Sequence, residues 1–356
     1  MTASAVFDLG INVPNAQTRP AAGIPPHIQL IQMGVALWQA RAVYAAAELG
    51  IADILTHGPH PLEEIARKTR THAPSLGRLL RALASCGIVE EISPTQFATT
   101  TLGDALCDDA PGAARATILT IAGSWQWKAW DHLLHALQTG ETGMQAAFGK
   151  DLFGFLSSEP HHSARFNDAM VGMHGAVASA VIAAYDFSRF RSVIDVGGGK
   201  GALLASILKA HPQMRAVLFD LPEVEKAARD YMIASGVETR CTFYGGDFFE
   251  HIPPGHDAYL LAHVLHDWKD DRAVAILHQC RHAIRTGDRL LIVEAVLPDD
   301  NTPHHGKLMD LLMLTVTGGV ERSKREFEQI LALASFAIAD VHPTMTHQSV
   351  IEAIPV

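Results

Sequence analysis

The sequence predicts a two-part chain: a carboxy-terminal Rossmann-like, doubly wound α/β domain preceded by an amino-terminal helical domain on a winged-helix plan. Three observations carry this prediction. From Arg191 onward, short aliphatic or β-branched runs alternate with segments long enough to be helices, the pattern of a parallel sheet covered on both faces. The first run ends in Asp195-Val-Gly197-Gly198-Gly199-Lys200-Gly201 and leads into Ala202-Leu-Leu-Ala-Ser-Ile-Leu-Lys, a strand–glycine turn–helix signature. Before residue 112 the chain reads instead as helix, turn, helix and two short strands.

The bulk numbers set the bounds. With 356 residues, 48% hydrophobic and 19% charged, the chain is long enough for two domains with separate cores and is globular in composition. A formal charge of −10 argues against sequence-independent nucleic-acid binding, which relies on Lys and Arg to neutralise phosphates. No apolar run reaches the length of a membrane-spanning helix, and the first residues lack a secretory pattern. Cys86, Cys107, Cys241 and Cys280 are scattered, as in a reduced, cytoplasmic protein. The adjacent pairs His161-His162 and His304-His305 read as turns and lack the i,i+4 spacing of a helical metal site, so no metal is expected.

Residues 1–26, with Pro14, Pro20, Pro25 and Pro26, read as an extended arm. From His27 to Leu49 apolar positions recur at helical spacing, and Gly50 closes the helix. Short helices then begin at Pro61 and at Ala73, the second with Pro74 in its first turn and Gly87 at its end. Ile88–Ile92 and Gln96–Thr99 read as strands around Ser93-Pro94. A winged helix suggests a DNA reader, yet the second helix carries only Arg78 and Arg81. The acidic total therefore favours a packing or dimerisation module over 27–111. Residues 112–185 read as a helical connector contributing to a substrate pocket, with Trp125, Trp127 and Trp130 close together. The catalytic domain is placed at 186–356. Its strands are expected at Arg191–Val196, Arg215–Leu221, Thr242–Gly246, Ala258–Val264, Arg289–Val296 and Ser349–Ile354, the last an antiparallel edge following a turn at His342-Pro343.

The glycine run lets the backbone turn sharply and approach a ligand, with helix N–H groups facing it. By itself it is ambiguous, since Gly197-x-Gly199-x-x-Ala202 also satisfies a dinucleotide fingerprint. Asp195 favours a different cofactor, because a carboxylate there suits the cationic amino group of a bound amino acid, which nicotinamide cofactors lack. Asp220, closing the second strand, suits ribose hydroxyls in either case. Asp247-Phe248, closing the third, offers an acceptor and an aromatic plate for an adenine. His266 lies just past the fourth strand, at the carboxyl ends where ligands bind in such sheets. A phenol has a pKa near that of Tyr, about 10, so its deprotonation at neutral pH is helped by a general base, and His is the usual choice. Glu294, in Ile-Val-Glu-Ala, is in a run too apolar for an idle carboxylate.

Taken in order, the glycine loop, Phe219-Asp-Leu-Pro-Glu-Val224, Gly246-Asp-Phe-Phe249 and His266-Asp-Trp268 resemble the class I methyltransferases that O-methylate small molecules. Those families include the plant caffeate and flavonoid enzymes and bacterial enzymes that tailor polyketides and phenazines. The resemblance spans nearly the whole chain. It implies S-adenosylmethionine as cofactor and S-adenosylhomocysteine as product, without metal, and a homodimer formed through the amino-terminal module. It implies cofactor contacts at Asp195, Gly197, Gly199, Gly201, Asp220, Leu221, Asp247, Phe248 and His263. The last is a departure, since plant members carry a Lys five residues after the position of Asp257, where this chain has Ala262 followed by His263. It also implies that Glu294 and Glu321 flank a catalytic His266. Around a small aromatic acceptor it points to Phe166, Asn167, Met170, Met173, His174, Asp267, Asp310, Met313 and Thr317. N- or C-methylation on the same fold, a ligand-sensing DNA-binding regulator and a nicotinamide oxidoreductase are the competing readings.

Overall fold

A computed structural model describes residues 24–356, apart from the side chains at 171 and 173–176. The expected extended arm lies almost wholly outside the described residues. The chain divides into two compact units: one holds residues 24–128 and 156–173, the other residues 129–155 and 174–356.

In the first unit the helix Pro26–Glu48 is followed by Gly50 at φ +63° and the short helix Ile51–Leu55. Strand β1 (His60–Pro61), helices Leu62–Thr69 and Ala73–Ser85, and strands β2 (Val89–Ser93) and β3 (Gln96–Thr99) complete it; the three strands order as β1-β3-β2. Ile51, Leu55, Ile65, Leu80, Leu83 and Phe97 are buried together as its core. The first helix contributes only Ala46 and Ala47 as fully buried residues, while Leu30 and Trp38 are each 70% exposed. His161-His162, expected in a turn, instead lies in the first turn of the helix Pro160–Ala184.

The second unit is built on β4 (Ser192–Val196), β5 (Arg215–Asp220), β6 (Cys241–Gly245), β7 (Ala258–Ala262), β8 (Arg289–Leu297), β9 (Arg322–Ser323), β10 (Phe336–Pro343) and β11 (Gln348–Pro355). Their order is β10-β11-β8-β7-β4-β5-β6, with β9 attached to the end of β8. Strands β4 to β8 are parallel. Both faces of the sheet are covered. Val193 packs on one side with Val181, Leu204 and Leu208, while Ile194 and Val196 pack on the other with Ile276 and Leu277. Burial on both faces explains why these strands read as unbroken apolar runs.

Three strand expectations need correction. Strand β11 is antiparallel, as expected, but it lies inside the sheet between β8 and β10. The edge is β10, which the sequence reading omitted, and His342-Pro343 ends that strand instead of forming a turn. Strand β9 was also omitted. The strand order reverses between β4 and β7, so the crevice at their carboxyl ends is where a ligand fits such a sheet.

Candidate active site

The loop after β4 is shaped by its glycines. Gly197, Gly199 and Gly201 sit at φ +73°, +57° and +81°, a region L side chains avoid. A Cβ on Gly201 would lie 2.1 Å from the Met232 side chain, and one on Gly198 would lie 2.5 Å from Oδ2 of Asp195. Asp220, at the end of β5, braces the loop: Oδ2 accepts the Gly199 N–H at 2.7 Å and Oδ1 accepts that of Leu221 at 2.7 Å. Burial raises its pKa against these two donors. Asp195, at 2% exposure, has no hydrogen-bond partner for Oδ1. Its burial, with the Asp220 charge nearby, pushes its pKa up to about 7. A buried acceptor without a donor, beside backbone that only glycine permits, suits a cationic amino group at close range.

Past β6, Oδ1 of Asp247 accepts the Phe249 N–H at 2.8 Å. Phe248 contributes to an aromatic group in which Phe249 meets Trp268 edge-on at 4.8 Å and Phe153 stacks on Trp268 at 5.8 Å. Arg272 covers the Phe249 ring at 3.5 Å. Of this group the sequence reading had given a role to Phe248.

The turn after β7 holds the imidazole. His263 leaves the strand in the left-handed region, φ +54°, with its N–H donated to the Val293 carbonyl at 3.1 Å. The next three amides, of Val264, Leu265 and His266, all point at Oε1 of Glu294 on β8, at 3.0, 3.0 and 3.4 Å. Glu294, fully buried, thus anchors the backbone that carries His266. Its other oxygen, Oε2, has no hydrogen-bond partner and lies 3.6 Å from His266 Nδ1.

Nδ1 of His266 pairs with Oε1 of Glu321 at 2.8 Å, while Nε2 lies 3.9 Å from an oxygen of Asp267. Burial would lower the imidazole pKa, but Glu294, Glu321 and Asp267 more than offset it, so the ring stays protonated well above its usual range. Burial in turn pushes Asp267 up to about 6 and raises Glu294. The arrangement orients Nδ1 toward the carboxylates of Glu321 and Glu294.

Glu321 is positioned by its surroundings. Its N–H is donated to Oδ1 of Asp310 at 2.9 Å, so this candidate acceptor-pocket carboxylate is engaged in bracing the loop. Gly319 packs against the His266 turn so closely that a Cβ would lie 1.8 Å from the His266 carbonyl oxygen. Arg322, 0% exposed, joins the two segments: it donates to the carbonyls of Leu265, Val320 and Trp268 and pairs with Asp270 at 2.8 Å. Sequence reasoning gave Arg322 no role, since a lone arginine in a loop normally lies at the surface.

Met313 is buried on the helix Gly306–Val316. Thr317 follows it, donating to the Met313 carbonyl at 3.3 Å and accepting the Gly319 N–H at 3.1 Å. Phe166, Asn167 and Met170 lie on the helix Pro160–Ala184 within the other compact unit. The side chains of Met173 and His174 lie outside the described residues. Among the described residues, no helix is long and apolar enough to cross a membrane.

Residues 130–337 match the O-methyltransferase domain and residues 33–109 the O-methyltransferase dimerisation domain. A phenazine O-methyltransferase from Lysobacter antibioticus is 42% identical over 336 residues, covering 94% of this chain and 98% of that protein. An 8-amino-8-demethylriboflavin N,N-dimethyltransferase from Streptomyces davaonensis is 34% identical, covering 91% and 94%. Among solved structures, a neocarzinostatin-biosynthesis O-methyltransferase bound to S-adenosylmethionine and 2-hydroxy-5-methyl naphthoic acid superposes with a TM-score of 0.79. It is 33% identical, with 89% of this chain and 96% of that one covered.

Proposed function

The chain belongs to the family of S-adenosylmethionine-dependent O-methyltransferases, and on that premise we propose that it methylates a phenolic or enolic hydroxyl of a small aromatic secondary metabolite, with His266 as general base and Glu294 and Glu321 as its partners. The observation that carries this reading is the part-buried imidazole between two carboxylates, with Nδ1 committed to Glu321 at 2.8 Å. The relatives whose names specify phenazine and naphthoate hydroxyls support an aromatic acceptor.

When bound, the cofactor supplies a methyl group on a sulfonium, so the protein's tasks are to hold both partners in line and to remove a proton. Asp195 would receive the amino group of the methionine end, Asp220 the ribose, and Asp247 with Phe248 the adenine, with Leu221 and His263 completing the contacts. Nε2 of His266 would accept the acceptor's hydroxyl proton once the ring is neutral; the carboxylates that raise its pKa make it a stronger base that acts at higher pH. Glu321 and Glu294 hold the ring in one tautomer and stabilise the resulting imidazolium. Asp267, Met313 and Thr317 are the acceptor-side candidates within the catalytic unit.

His266→Ala is expected to lower kcat by about 10²–10⁴ on a phenol, the usual worth of a general base, while S-adenosylhomocysteine still raises the melting temperature. Unchanged turnover of a phenol in this variant would overturn the assignment. The N,N-dimethyltransferase relative supplies the second reading. An aromatic amine has its lone pair available without deprotonation, so an amine acceptor would leave kcat largely intact in the same variant. Incubating the enzyme with labelled cofactor and a panel of phenols and anilines separates the two.

A further inference from the structure

We propose that His263, His266 and Glu294 also form a binding site for a zinc-class divalent cation, and that such an ion holds the enzyme inactive by occupying its catalytic imidazole. The inhibitory half rests on His266 being the base; the binding half does not.

Each of the three residues offers a donor atom within 4.8 Å of the others. His266 Nδ1 and Glu294 Oε2 are already 3.6 Å apart. Two ligands about 2.0–2.1 Å from a tetrahedral zinc stand about 3.4 Å from each other, so little movement is needed along that edge. Glu294 Oε2 is a buried oxygen with no hydrogen-bond partner. Its orientation is preset, because the three amides that bind Oε1 prevent the carboxylate from turning. The left-handed backbone at His263 places its ring 5.6 Å from that of His266, centroid to centroid. A site at the end of a strand, with a fixed carboxylate and two neighbouring imidazoles, is more preorganised than a chance grouping of surface histidines.

Chemistry selects the ion. Two imidazoles and one carboxylate suit zinc and its neighbours, whereas magnesium and calcium prefer all-oxygen shells. Coordination at Nδ1 takes the place of its hydrogen bond to Glu321, the proton there leaves to solvent, and the ring's remaining proton then sits on Nε2. The metal-bound ring is then fixed and its proton-accepting role is blocked.

The test uses the full-length protein, stripped with a chelator and titrated with Co²⁺, whose visible absorption reports four- or five-coordinate nitrogen and oxygen ligation. One equivalent is expected to saturate the band. His263→Ala and Glu294→Gln should each weaken binding by more than about tenfold, while His278→Ala, on the exposed face of its helix, leaves it unchanged. Zinc at the same stoichiometry should stop methyl transfer, and chelation should restore it. Absence of a saturable site, or binding indifferent to both active-site variants, would overturn the proposal. The base reading fails separately: His266→Ala that still turns over a phenol refutes the base even where cobalt binds as expected.

Discussion

The carboxyl of Asp195 ionises near 3.8 when exposed but only near 7 in the fold, because it is buried beside Asp220. Between those values the folded chain holds a proton that the unfolded chain has released. Stability of the ligand-free protein therefore falls as pH rises from about 4 to about 7. Asp195→Asn removes this term. It should stabilise the protein at pH 8 relative to wild type by up to about 4 kcal/mol, at 1.4 kcal/mol per pH unit, with little difference at pH 4. The same variant should lose the thermal shift on adding S-adenosylhomocysteine. Urea melts at the two pH values check the first outcome, and identical pH slopes would contradict it. Asp195 was legible in the sequence from its place before the glycines, whereas its missing partner is a property of the folded loop alone.

Among the elements, the turn carrying His266 shows how a buried acid can serve as scaffold. Removing the carboxylate with Glu294→Ala leaves three amides facing no acceptor, at about 1–3 kcal/mol each for buried groups, and is expected to lower the melting temperature sharply. Glu294→Gln keeps an oxygen for those amides, so it should keep the native circular dichroism and cofactor binding while kcat drops by about 10² or more. A Glu294→Gln variant that keeps wild-type kcat would show that the carboxylate acts only as a scaffold.

The strands that carry this site were readable because they are buried on both faces. Strand β10 was not, since Phe336-Ala-Ile-Ala-Asp-Val-His-Pro is half exposed at an edge and its alternation breaks at a bulge between Ile338 and Asp340. Its terminal Pro343 is tolerated at an edge and mimics a turn signal. Strand β11 was taken for an edge because it follows the turn signal at His342-Pro343, and it carries the carboxylate of Glu352. In the fold that carboxylate is paired with Arg289 at 2.7 Å and with Arg189 at 2.5 Å, which lets it sit inside the sheet. Arg322 escaped notice for the same reason: its partners are mostly carbonyls supplied by a distant turn.

For the whole molecule, the exposed apolar side chains of the first helix bear on association. The dimerisation-domain match spans residues 33–109, and the helix Pro26–Glu48 displays Leu30, Ile31, Met33 and Trp38 at 58–70% exposure. Large apolar residues at such exposure suit an association surface. Leu30→Glu combined with Trp38→Glu is expected to shift the protein from dimer to monomer in sedimentation velocity, with the catalytic unit's circular dichroism retained. A dimer of unchanged stability would place the interface elsewhere. The sequence predicted a module of this kind from the acidic balance and the shortage of basic residues on its second helix, but not which face would be apolar.

The position of β11 has a consequence for synthesis. Because Gln348–Pro355 pairs with β8 along one side and β10 along the other, the sheet remains split at β8 until those residues have left the ribosome. From the time Glu294 on β8 emerges until Gln348–Pro355 follows it, β8 therefore lies next to an open strand edge. The catalytic half of the protein is thus a late-closing structure, vulnerable to edge-to-edge pairing with other nascent chains. Its yield in a cell will depend on how long that seam is shielded, as well as on the stability of the finished fold.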